Sequence, residues 1–249
     1  LVTLNPGRQY VLAANSDFPS ATTQIEWWLF LLWHTALLNS EALLMSPEFS
    51  QWLFYAGLAG GVVFAISGAL AAAERRLDIL GFVLLGVVTG IGGGTIRDLI
   101  LGVEVFWVAN SMDLAVCIAA AILTWVLAPR VLALSKALVW ADAAGLALFS
   151  VVGAAKAHSL GAAPLVVVVM GMLTPTFGSV IRDLLLDRQP VLLGPEVYVT
   201  AALSGAVSFL LLVELGIAEV VSMLVAIAVA FGVRSAALLF GWQLPKFSR

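Results

Sequence analysis

The sequence predicts an all-α membrane protein with seven transmembrane helices. They form two inverted three-helix repeats plus one extra helix, with the second and fifth helices broken. Three observations carry this. The 249 residues are 62% hydrophobic and 11% charged, against about 45–50% and 25% in a soluble domain. The apolar residues fall into runs of spanning length, and the chain repeats itself 85 residues further on. This composition excludes a soluble enzyme, a disordered tail and a coiled coil. A formal net charge of −3 excludes a nucleic-acid binder, which needs a strong basic footprint. The lone Cys117 has no disulfide partner, no Cys/His cluster has metal-ligand spacing, and no cofactor motif is present.

A span needs about 20 mostly apolar residues. Residues 1–52 form an N-terminal extension whose apolar stretch 27–38 is too short to span. It reads either as an interfacial helix or, if the natural start is Met45, as sequence outside the native protein. His34 lies there and is given no role. The first span is 53–73, ended by Glu74-Arg75-Arg76. The second, 79–101, is interrupted by Gly90-Ile91-Gly92-Gly93-Gly94, and the third, 114–128, stops at Pro129-Arg130. The fourth, 137–155, carries Asp142. The fifth, 161–186, is interrupted by Thr174-Pro175-Thr176-Phe177-Gly178-Ser179. The sixth is 197–213 and the seventh 217–240, followed by a tail at 241–249.

Residues 60–102 lie on 145–187 without a gap, and 15 of the 43 pairs are identical. Gly60/Gly145, Phe64/Phe149, Gly68/Gly153, Thr89/Thr174 and Gly93/Gly178 are among them. Apolar composition could match Leu with Leu, but it does not produce Ile96-Arg97-Asp98-Leu99 against Ile181-Arg182-Asp183-Leu184. The first repeat is 53–129 and the second 136–213. Each holds three spans, so the second copy enters the membrane from the opposite side, a layout typical of transport proteins. The seventh span, outside the repeat, is a packing or oligomer helix. Arg75, Arg76, Arg130, Lys136, Arg188, Lys246 and Arg249 collect on one side. The positive-inside rule makes that side cytoplasmic, with the N-terminus outside and the C-terminus inside.

Glycine costs a helix roughly 1 kcal/mol in propensity, and proline about 3. Backbone released from the helical ladder in a membrane must be buried or line a wet cavity. Two matched interruptions in inverted repeats are how midplane binding sites are built. Carbonyls near Thr89, Gly90, Gly92 and Thr174, with hydroxyls of Thr89, Thr95, Thr174, Thr176 and Ser179, offer oxygens suited to an alkali cation. No carboxylate cluster suits calcium. Gly93, Gly94, Pro175 and Gly178 supply the break itself. Arg97, Asp98, Arg182 and Asp183 follow at once and serve in pairing or gating. Adjacent helical residues do not face each other, so Arg97 is expected to pair across the repeat interface rather than with Asp98. Lys156 snorkels toward the interface, and Asp142, deeper in the span, is the better pore candidate.

The motif Gly-Gly-Gly-Thr-Ile-Arg-Asp-Leu-Ile-Leu-Gly (92–102) and its echo Gly-Ser-Val-Ile-Arg-Asp-Leu-Leu-Leu (178–186) resemble the prokaryotic trimeric intracellular cation (TRIC) channel family. The resemblance covers residues 53–240. It implies a seven-helix protomer and a homotrimer with a potassium-permeable pore in each protomer, bounded by the kinked second and fifth helices. The partners it implies are potassium or sodium ions, membrane lipids and the chain itself, in a cell inner membrane. The same sequence domain has carried a glycine-transporter label, so the alternative is a secondary transporter of a small solute. The second kink departs from the glycine-rich pattern at Phe177-Gly178-Ser179, which breaks the symmetry of the two ion paths.

Overall fold

The computed structural model describes residues 47–131, 133–191 and 197–243. The chain divides into Leu1–Leu44 and Met45–Arg249, and every described residue belongs to the second unit. The stretch 27–38, His34, Met45, Lys246 and Arg249 lie outside the described residues.

Among the described residues seven apolar helices follow one another, with no strand. They are α1 (Pro47–Glu74), α2 (Ile79–Leu101), α3 (Met112–Leu127), α4 (Leu134–Ser159), α5 (Pro164–Leu185), α6 (Val199–Glu214) and α7 (Glu219–Phe240). A single helical turn, Phe106–Ala109, stands between α2 and α3. Six helices are long and apolar enough to cross a membrane, counting α3 with the turn that follows it, and α6 is a shorter apolar helix. The first helix starts at Pro47, earlier than the apolar run at 53. Proline suits the first helical turn, Glu48 favours the same end, and Phe49 is buried in a stack on Phe209 with ring centroids 6.5 Å apart.

The interruptions expected in the second and fifth spans do not end either helix. Helix α2 runs through Gly92, Gly93 and Gly94, and α5 runs through Thr174 to Ser179. The reason is local. Glycine weakens a helix but keeps its N–H, so each glycine can still close the ladder. Only Pro175 removes a donor, the one that the Gly171 carbonyl would accept.

The repeat organises the packing. Phe64 of α1 meets Phe149 of α4, its counterpart, with centroids 5.2 Å apart. Around this axis α1 packs on α4, α1 on α2, α4 on α5, and α2 on α5. Helix α7 breaks the symmetry. It lies against α4 and α6, where a Cβ on Gly205 would sit 2.8 Å from the Ala230 methyl. The counterpart of Gly205 in the first repeat is Ala120 of α3. Among the described residues no helix packs there as α7 packs on Gly205, and Ala120 lines an apolar cavity of 540 Å³ with Val62, Ile66, Thr124, Ala137 and Ala141.

Helix ends also differ between the two faces of the bundle. The residues that follow α2 and α4 in the left-handed conformation are Gly102 and Gly161. Their counterparts after α5 and α1 are Asp187 (φ 51°) and Arg76 (φ 55°). Non-glycine residues bear a steric cost of about 1–2 kcal/mol there.

Candidate functional site

The matched glycines and threonines of the two repeats meet where α2 crosses α5. A Cβ on Gly93 would fall on the Thr174 carbonyl, and one on Gly178 would lie 2.8 Å from the Thr89 carbonyl. The two contacts are related by the 85-residue shift. Each threonine carbonyl is thus turned onto the glycine of the opposite helix, and backbone meets backbone with no side chain between. That contact is what the matched glycines permit, as in small-residue helix crossings generally. Gly92 is looser: a Cβ there would find its nearest neighbour, the Ile181 Cδ1, at 3.1 Å, and Gly94 faces the Phe106 ring. Gly90 faces the Cys117 Sγ and the Gly61 carbonyl, each of which would lie 2.8 Å from an added Cβ.

The hydroxyls expected to supply oxygens all donate to a carbonyl of their own helix. Thr89 donates to Leu85 (2.6 Å), Thr95 to Ile91 (2.8 Å), Thr174 to Met170 (2.6 Å), Thr176 to Met172 (2.7 Å) and Ser179 to Thr176 (2.9 Å). With the proton turned back into the helix, each oxygen keeps lone pairs for another partner. Thr95 uses one to accept from the Trp107 indole at 2.9 Å. It is mid-helix.

The arginine–aspartate dipeptides correct one expectation. Arg97 Nε donates to Asp98 Oδ1 at 2.8 Å, and Arg182 Nε to Asp183 Oδ1 at 2.9 Å. Neighbours on a helix do not point the same way, but a long guanidinium can curl back to its neighbour, and burial leaves it few other carboxylates. The second carboxylate oxygen of each aspartate accepts a backbone N–H eight residues on, Phe106 at 3.0 Å and Val191 at 3.3 Å. Each dipeptide therefore pins the chain that leaves its helix.

The two arginines then part company. Arg182 also donates to Asp142 of α4 at 2.7 Å and to Ser67 of α1 at 2.6 Å. Arg97 has no side-chain bond outside its own segment among the described residues, and its guanidinium lies 5.7 Å from the centroid of the Phe106 ring. Asp142, the expected pore carboxylate, is thus buried as a partner of Arg182. Lys156 sits in the last turn of α4 and forms no ion pair with a described residue.

Several residues at the site escaped the sequence reading. Ser67 is a lone serine in an apolar run and carries no signal there. Arg234 did carry one, as the only basic residue inside the seventh span. It donates to the Val197 carbonyl at 3.3 Å and lies over the Tyr198 ring at 5.1 Å. Asp113, the counterpart of Tyr198 under the 85-residue shift, is buried in the first turn of α3 and lies within electrostatic reach of Arg97.

A family model described as "Glycine transporter" matches residues 54–129 and 139–214, two copies 85 residues apart. The UPF0126 inner membrane protein YadS of Escherichia coli (strain K12) is 38% identical over 203 residues, 79% of this chain and 96% of that protein. The UPF0126 membrane protein YvgT of Bacillus subtilis (strain 168) is 38% identical, over 76% of this chain and 93% of that protein. Among solved structures, the TRIC trimeric intracellular cation channel orthologue from Rhodobacter sphaeroides superposes with a TM-score of 0.74 and 42% identity. That match covers 76% of this chain and 98% of the other. A second structure, reported for conductance through TRIC cation channels, superposes with a TM-score of 0.71 and 32% identity, covering 78% and 97%.

Proposed function

The chain belongs to the prokaryotic TRIC family, and from that premise we propose that it is a potassium-permeable monovalent cation channel. It works as a homotrimer in a cell inner membrane, N-terminus outside and C-terminus in the cytoplasm, with a passive ion path in each protomer beside the α2–α5 crossing. The observation that carries this reading is the reciprocal seating of Thr89 on Gly178 and of Thr174 on Gly93. It puts two equivalent carbonyls, and the hydroxyls of the same two threonines, at the crossing of α2 and α5. Thr89, Gly90, Gly92, Gly93, Gly94 and Thr95 line the path from α2. Thr174, Pro175, Thr176, Gly178 and Ser179 line it from α5.

In the described arrangement the two backbones touch, so ions pass when α2 and α5 part. Neutral oxygens favour cations over anions, and without a rigid carbonyl filter they separate potassium from sodium weakly. Arg97 and Arg182 are held beside carboxylates, which keeps their charge from repelling a passing cation. The test is purified protein in planar bilayers under a potassium chloride gradient. Discrete current steps reversing near the potassium potential are expected, and reversal at the chloride potential ends the cation-channel reading.

The family model's own description favours a second reading, a carrier of a small solute such as glycine. A carrier gives saturable uptake that unlabelled substrate competes away, and it gives no unitary current steps.

A further inference from the structure

The two ends of the bundle are not tied alike. At the end where α1 and α5 finish, Arg75 donates from Nη2 to the Leu186 carbonyl at 2.7 Å, and Arg188 pairs with Glu74 at 2.8 Å. These two bonds join the end of α1 to the chain just past α5, two helices that otherwise scarcely touch. Arg182 adds its bonds to Ser67 and Asp142 on the same half of the bundle. At the opposite end, where α2 and α4 finish, the side-chain bonds of the arginine segment stay within residues 91–107. The counterparts of Glu74, Arg75 and Arg188 there are Ser159, Leu160 and Val103, and none of them can form an ion pair. The left-handed residues follow the same division, charged Arg76 and Asp187 at the tied end and Gly161 and Gly102 at the other.

We propose that Glu74–Arg188 and Arg75–Leu186 form a latch that holds one mouth of the protomer shut, and that the opposite mouth has no such pair among the described residues. Opening at the latched end separates α1 from α5 and breaks both bonds. The untied end parts without a comparable step. This rests on the channel reading for its electrical consequence but not for its geometry. The pair is part-exposed, so it biases the mouth rather than locking it, by about two- to fivefold in open probability, the range such a pair supports.

Single-channel recording in planar bilayers with Arg188→Gln and Glu74→Gln tests the electrical side. Each variant should raise open probability by that factor at unchanged unitary conductance, and the swap Glu74→Arg with Arg188→Glu should return it toward wild type. Installing the missing pair, Ser159→Glu with Val103→Arg, should lower open probability from the other end. Single variants that gate like wild type, or a swap that leaves the increase in place, overturn the latch. Spin labels on Arg76→Cys and Gln189→Cys read the mouth without current. Arg188→Gln should broaden their distance distribution toward longer values, and an unchanged distribution overturns the latch. Wild type that passes no current, with the broadening present, defeats the channel reading and leaves the latch standing.

Discussion

The first repeat's arginine and the second repeat's stand at equivalent places on equivalent helices, yet their surroundings differ. Arg182 is bound to three elements: Asp183 beside it, Asp142 on α4 and Ser67 on α1. Arg97 is bound to Asp98 and rests on an aromatic ring. Under the 85-residue shift, Asp142 corresponds to Gly57 and Ser67 to Val152, so Arg97 lacks both partners. It has Asp113 instead, where the second repeat has Tyr198. Duplication preserved the dipeptide and the turn it pins, while the partners that cross between helices diverged. Helix crossings are shared by both copies, and polar cross-links are the private property of one.

The largest expected break in this comparison is Asp142→Ala. It removes one of the two carboxylates from a buried guanidinium, and the loss should be about 3 kcal/mol, read as a fall in melting temperature in detergent. The matched change at Gly57 makes the contrast. No atom lies within 4 Å of a Cβ there, so Gly57→Asp meets no clash, but a carboxylate inside a span costs about 2.5–3.5 kcal/mol on its own, and a smaller fall in melting temperature would show that Arg97 takes it up as Arg182 takes Asp142.

Next comes the crossing. Gly93→Ala drives a methyl into the Thr174 carbonyl, and Gly178→Ala crowds the Thr89 carbonyl. Overpacking of this kind costs about 1–3 kcal/mol. Both should insert and assemble, and both should lose most potassium conductance in bilayers. Gly178→Ala should match Gly93→Ala within severalfold, although Pro175 lies in α5, because the contact is reciprocal. A conducting Gly93→Ala protein would make the crossing a packing feature and remove it from the path. Gly92→Ala meets only a flexible isoleucine end and should change conductance least of the three.

The smallest effect is expected at the indole bond. Trp107→Phe removes the donor to Thr95 but leaves that hydroxyl bonded to Ile91, so the loss should be about 1 kcal/mol. The second repeat has no bond of this kind among the described residues, because position 180, the counterpart of Thr95, is Val180. Equal thermal stability of Trp107→Phe and wild type would show that the turn after α2 is held by Asp98 alone.

By itself the sequence determined the all-helical membrane class, the order of the apolar helices and the duplication. Those follow from local pattern: apolar length sets a helix of spanning type, and the 85-residue self-match sets the duplication. It also marked Gly93, Gly178, Thr89 and Thr174 as a matched set. What those glycines do was decided by the tertiary structure. Helix propensity reads glycine as a place where a helix breaks, whereas a packed bundle uses it as a place where two backbones can meet, and the packing gain outweighs the propensity loss. Pairing was decided there as well. Arg97 and Asp98 are adjacent in sequence and were expected apart, and Arg75 and Leu186 lie far apart and are bonded. A side chain's partner depends on which helix ends the fold brings within hydrogen-bond reach, and no spacing along the chain encodes that distance.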